Sequence, residues 1–198
     1  MTPTMSQPTR HVKGIVQLDL IKYLRVYQRS NPLPGLSAEA EELLHSRVIV
    51  SSWYALAPFL ELLAATDSLI LKGDENAALE LGASAGSQLL RSSYRAYIRD
   101  GEFAESVMAV RHLWGTHYDF GAVTAELQAD QTSVVFTITG FEDVSMAHAL
   151  MTAGWAIAAA RVAGAASVAI EVLERPWKNA RKAPGGARFR YRVRCDSC

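Results

Sequence analysis

The sequence predicts an α+β domain in which N-terminal helices precede a β-β-α-β-β unit, giving a mainly antiparallel sheet covered by helices. Three observations carry this. Apolar residues recur at helical spacing through most of the chain as far as Tyr118. The period then shortens to two over residues 121–127 and 133–139. A long alanine-rich run, MAHALMTAGWAIAAARVAG, separates that pair from two further alternating stretches, SVAIEVL and RFRYRVR.

Composition bounds the answer. At 198 residues and 49% hydrophobic, the chain supports one sizeable core. A formal net charge of +0, a mean hydropathy of +0.05 and the lack of a long uncharged apolar run argue against a membrane span. The start, MTPTMSQPTR, lacks the apolar centre of a secretory signal, so residues 1–11 read as a frayed arm. A single domain over 12–194 and a tail over 195–198 follow. With Cys195 and Cys198 the only cysteines, no disulfide framework is expected and the default address is cytoplasmic.

In chain order, residues 11–28 start extended and become helical, with Leu20, Tyr23, Leu24 and Tyr27 on one stripe. SNPLPG ends that helix. Ser37 then caps a short surface helix with acids in its first turn and His45 and Arg47 near its end, the order that suits a helix dipole. In VIVSSWYALAPFLELLAATD, Phe59, Leu62, Leu63 and Thr66 mark a buried helix, preceded by a turn carrying Trp53 and Tyr54. Asp74 caps a helix from about Glu75 toward Ile98 that is rich in small residues. Glycine in a helix interior costs about 1 kcal/mol against alanine, so Gly82 and Gly86 need a packing reason. They predict a tight helix crossing, either within the chain or across a dimer axis.

Phe103, Val107, Val110 and Trp114 predict one further helix, residues 103–118, before the strands begin. ADQT reads as a hairpin turn, and Asp143 or Ser145 as the cap of the alanine-rich helix. In the last strand, Phe189, Tyr191 and Val193 alternate with Arg188, Arg190, Arg192 and Arg194. From Glu174 onward the chain carries a charge of +6, leaving −6 elsewhere. Such a strand is either guarded by charge against edge pairing or an anion- and partner-binding face. Its aromatic residues point the other way, so base stacking is not offered and nucleic acid is not the expected partner.

No catalytic constellation is legible: there is no GxSxG, HExxH or phosphate loop, and the glycines of GASAG lie inside a helical pattern. His112 and His117 are five apart, a spacing that does not place both on one helical face, and nothing completes a metal set. Cys195-Asp-Ser-Cys198 lacks the second pair a zinc knuckle needs. No metal and no cofactor are expected.

The runs VKGIV, VIVSSWY with the following LLAATD, GDENAALELG, SSYRAYIRDG, HLWGTHYDFG, TITGF and GWAIAAARVAGAASVAIEVLE together resemble, in this order, a paralogous protein group abundant in myxobacteria. The resemblance spans about residues 12–173. That group is similar to the superfamily of heme-nitric-oxide-binding domains, 4-vinyl-reductase-like sensors and TRAPP tethering subunits. The resemblance implies a helix-plus-antiparallel-sheet fold, often dimeric, with an apolar cavity for a small or acyl ligand, and it does not imply an enzyme. Members of the sensor branch carry cysteines before the last strand. Here that place runs from Glu174-Arg175-Pro176-Trp177 through Gly185-Gly186 without Cys or His, so no metal role carries over.

The expectation is therefore a non-catalytic regulatory or scaffolding module in signalling. It is a homodimer through Gly82 and Gly86, holding a small apolar ligand among Trp53, Tyr54, Tyr94, Trp114, Tyr118 and Trp155, with a protein partner as the alternative reader. The competing reading is a polyanion- or acidic-partner-binding protein that uses Arg188, Arg190, Arg192 and Arg194.

Overall fold

The computed structural model describes residues 9–33, 35–141, 144–178 and 188–197. The arm before Thr9, the cap candidate Asp143, the connection 179–187 and Cys198 lie outside them. As predicted, the described chain begins extended and becomes helical, β1 (His11–Lys13) leading directly into α1 (Gly14–Gln28). β1 pairs antiparallel with β2 (Trp53–Ala55), where the sequence predicts a turn. Three residues are too few for alternation to show, and the pairing partner lies far away in sequence. Val12 also bridges to Tyr118, so this strand ties the first helices to the segment entering the main sheet.

α2 (Ala38–His45) is capped by Ser37, whose side chain accepts from the Ala40 amide. α3 (Leu56–Thr66) buries the predicted Phe59, Leu62, Leu63 and Thr66, then continues as a π-helical turn, Asp67–Leu71, closed by left-handed Lys72. α4 (Glu75–Leu90) opens on Asp74, whose carboxylate accepts from the amides of Asn76 and Ala77. It stops at Leu90 instead of running toward Ile98. Ser92 Oγ donates back to the Gln88 carbonyl and the Tyr94 amide reaches the Leu89 carbonyl, the local hydrogen bonding by which serines end helices. The predicted single helix over 103–118 divides into α5 (Phe103–Ala109), a 3-10 stretch Val110–Leu113 and α6 (Trp114–His117).

β3 (Ala122–Leu127), β4 (Ser133–Thr139), β5 (Ser167–Glu174) and β6 (Phe189–Ser197) form a four-stranded antiparallel sheet in the order β3-β4-β6-β5. The β3–β4 turn is held by the Asp130 carboxylate, which accepts from the Thr132 and Ser133 amides and from Ser133 Oγ. On the inner face Phe136 stacks on Tyr191 with ring centroids 5.0 Å apart, flanked by buried Val134, Ile138, Phe189 and Val193. β6 runs beyond Arg194, and Cys195 within it is buried and is not a free thiol.

α7 (Met146–Val162), capped by Ser145, is buried on nearly every side, as a helix apolar all round must be. It packs on β5 and β6 and against α4. The α4–α7 crossing is closed by glycines. A Cβ on Gly82 would lie 2.0 Å from the Met151 carbonyl oxygen, and one on Gly154 2.3 Å from that of Leu79. Gly86 faces Ala158 and Trp155 of the same helix. Gly82 and Gly86 are therefore spent on an intramolecular crossing, which corrects their assignment as a dimer contact: both are buried against α7 and present nothing to a second copy. No helix among the described residues is long and apolar enough to cross a membrane.

Candidate functional site

α1, the 3-10 and α6 turns and α7 meet around a small cavity of about 50 Å³. Val16 reaches it from α1, and Thr152 and Trp155 from α7. Val110, Leu113, Trp114, His117 and Tyr118 complete the lining. Their spacing is i, i+3, i+4, i+7, i+8, so a single helical face supplies this wall although the helix type changes along it.

The wall is braced by hydrogen bonds and ring contacts. Trp114 stacks on Tyr118 at 4.4 Å between centroids, and its Nε1 donates to the Phe120 carbonyl at 2.8 Å. His117 Nε2 and Tyr94 Oη share a hydrogen bond of 3.0 Å, and the same imidazole meets Trp155 edge to face at 4.9 Å. Behind this layer His148 Nε2 and Tyr118 Oη share a hydrogen bond of 3.1 Å, with the His148 ring 4.4 Å from Phe141 and 5.2 Å from Phe59. Burial holds the His117 imidazole down to about 4 and that of His148 to about 3. It pushes the Tyr118 hydroxyl well above the usual phenol range. All three groups are uncharged at neutral pH.

Of the six predicted pocket residues, Trp114, Tyr118 and Trp155 line the cavity. Tyr94 stands just behind it through His117. Trp53 and Tyr54 are elsewhere, a correction that follows from the β1–β2 pairing, which carries both to the edge of the fold. Trp53 is exposed with Lys13 Nζ 4.1 Å from its ring centroid. Tyr54 Oη accepts from the Ile49 amide and borders a separate cleft beside Glu39, Glu42 and Pro58. His112 is exposed and His117 buried, so the two do not converge, and no group of three or more metal-donor side chains occurs among the described residues.

Arg188 and the three β6 arginines are each paired. Arg188 and Arg190 donate to Glu174, Arg192 to Glu171 and Arg194 to Asp196. The hydrogen bond from Arg188 is the main reason the Glu174 carboxyl lies below its ordinary range. This face is a ladder of opposite charges, which removes the ground for reading it as a polyanion site. Sequence reasoning missed Gln17: it is fully buried on α1, and neither amide atom has a hydrogen-bond partner among the described residues. Its signal was a polar residue on the apolar stripe Gly14, Leu20, Ile21 and Leu24.

No family model matches this chain. No curated protein matches it either. Solved structures do, among them several H-NOX domains. An H-NOX protein from S. oneidensis, in its Fe(II)NO ligation state, superposes with a TM-score of 0.63 at 11% identity over 93% of this chain and 99% of that one. An oxygen-binding H-NOX domain related to soluble guanylate cyclases gives 0.58 at 14% identity, over 93% and 95%. A structure from work on heme distortion in the H-NOX family gives 0.59 at 12%, with the same coverage. At these identities the likeness establishes the fold, an α+β arrangement of H-NOX type.

Heme, the group named for the last of these structures, does not fit this cavity. Pockets for drug-sized ligands enclose roughly 300–1,000 Å³, whereas this one holds about 50 Å³. Its lining contains no Lys or Arg to meet the carboxylates of a porphyrin.

Proposed function

We propose that the chain is a non-catalytic regulatory module. It shelters a small apolar molecule between α1, the α6 turn and α7, and passes its occupancy to a protein partner or to a second copy of itself. The observation that carries this reading is the meeting of three distant segments on one cavity: Val16 from the N-terminal helices, Trp114 and His117 from the segment before the sheet, and Trp155 from the helix between its strands. A molecule bound there touches all three, so it stabilises one packing of them over others, which is what a ligand needs in order to shift a conformational equilibrium. The lining supports a binding role over catalysis. Its titratable groups, His117 and Tyr118, are neutral and already hydrogen-bonded inward, and no carboxylate or thiol stands beside them in the lining.

Native mass spectrometry of the protein purified from its source tests this, because it reports retained small molecules, subunit count and bound proteins together. The expected result is a complex, with a partner or a second copy, that changes when Val16→Phe fills the cavity. An empty monomer, or a complex indifferent to that substitution, overturns the reading.

A further inference from the structure

We infer that this chain uses its fold without heme: Trp114, His117 and Trp155 fill the interior themselves, and the space they leave admits an uncharged, apolar molecule of only a few heavy atoms. The inference deepens the reading above and rests on the cavity being the ligand site.

Size comes first. A water molecule needs roughly 10–15 Å³ of such space, so the volume of about 50 Å³ is that of a few waters. The rings that reduce it are not loosely placed. Trp155 lies over Gly86 of α4, where an added Cβ would come 3.2 Å from its indole, so the small residue at 86 is the complement of the large one at 155. Trp114 is fixed at both ends, by its stack on Tyr118 and by its hydrogen bond to the Phe120 carbonyl. Opening a slot for a macrocycle means driving two indoles out of close packing, and interiors packed to crystal density resist that.

Chemistry points the same way. Iron in a macrocycle takes an axial side-chain ligand, in many proteins an imidazole nitrogen, and Nε2 of each buried histidine is already engaged by a tyrosine hydroxyl, His117 by Tyr94 and His148 by Tyr118. Taking Nε2 of either for a metal breaks that hydrogen bond, and at His148 it strands a hydroxyl that is buried. An anionic ligand finds no cation on the lining, and burial keeps His117 neutral. What the cavity rewards is small size and low polarity.

The test takes the purified full chain through a hemin titration followed by Soret absorbance and through xenon-129 NMR. The expected outcome is no one-to-one hemin complex surviving gel filtration, and one xenon site whose chemical-shift response disappears in Val16→Phe. Trp155→Ala should bind benzene, which the unsubstituted chain does not. Should that variant fail to fold, Val16→Ala serves for the same gain at smaller scale, read as tighter xenon binding. Stoichiometric hemin with a histidine-ligated Soret band, lost in His117→Ala or His148→Ala, overturns the inference while leaving the regulatory reading standing. A chain that takes up neither xenon nor hemin overturns the assigned ligand class.

Discussion

His117 and His148 are the two histidines whose proton affinity the fold lowers, in both by burial. In the unfolded chain each imidazole takes up a proton below its ordinary value of 6.5, whereas in the fold burial delays this to about 4 and about 3. Their stabilising contribution is therefore complete above pH 6.5 and is lost progressively as the pH falls from there, toward about 4 for His117 and about 3 for His148. The slope reaches up to ~1.4 kcal/mol per pH unit for each imidazole. Urea unfolding followed between pH 7 and pH 5 should show a falling midpoint, and His148→Gln should flatten the trend by about half. A midpoint constant over that range contradicts the burial argument. The sequence showed both histidines and could rank neither, because what lowers an imidazole's proton affinity is exclusion from water and that is settled by distant segments such as Phe59, Tyr94 and Phe141. Gln17 was visible in outline, as the polar member of an apolar stripe.

At the scale of elements, the α4–α7 crossing is the most sharply determined feature. Gly82→Ala places a methyl group against the Met151 backbone, 2.0 Å from its carbonyl oxygen, where nothing flexible can yield. Overpacking of this kind costs about 1–3 kcal/mol or more. Gly86→Ala meets the Ala158 Cβ at 3.0 Å and the Trp155 indole at 3.2 Å. There the added contact is partly offset by about 1 kcal/mol of helix propensity. Thermal unfolding should therefore rank the Gly82 variant clearly below the Gly86 variant, and the reverse order would mean that the helices are not crossed at this point. That the glycines served a close approach was legible from composition. Which helix approached was not, since Gly154 sits in an equally small-residue run and pairing between runs is invisible in either one. The helix break after Ala109 was hidden for a related reason: the 3-10 stretch keeps its apolar side chains on the same face, so the periodicity continues through it.

For the whole molecule, charge placement decides what the surface can bind. The chain is formally neutral, and the four strand arginines of its basic last stretch, Arg188, Arg190, Arg192 and Arg194, are met in space by Glu171, Glu174 and Asp196. Near physiological salt the protein should pass through a heparin column. Glu171→Gln with Glu174→Gln, which frees three of the ladder's arginines, should be retained and elute with steep salt dependence. Retention of the unsubstituted chain would show the ladder to be open. By itself the sequence determined the fold class, the chain order of the helices and of the main-sheet strands, the caps at Ser37 and Asp74, and the buried face of α3, because periodicity and capping act over a few residues; on α1 it placed Tyr23 on the apolar stripe, where the structure exposes it. Tertiary structure alone decided that β1 finds β2, that Gly82 and Gly86 meet α7 instead of a second copy, that the arginines meet acids, and that Trp114, His117 and Trp155 close on one another to leave so small a cavity. Each of these joins segments far apart along the chain, and no local pattern encodes the volume left between them.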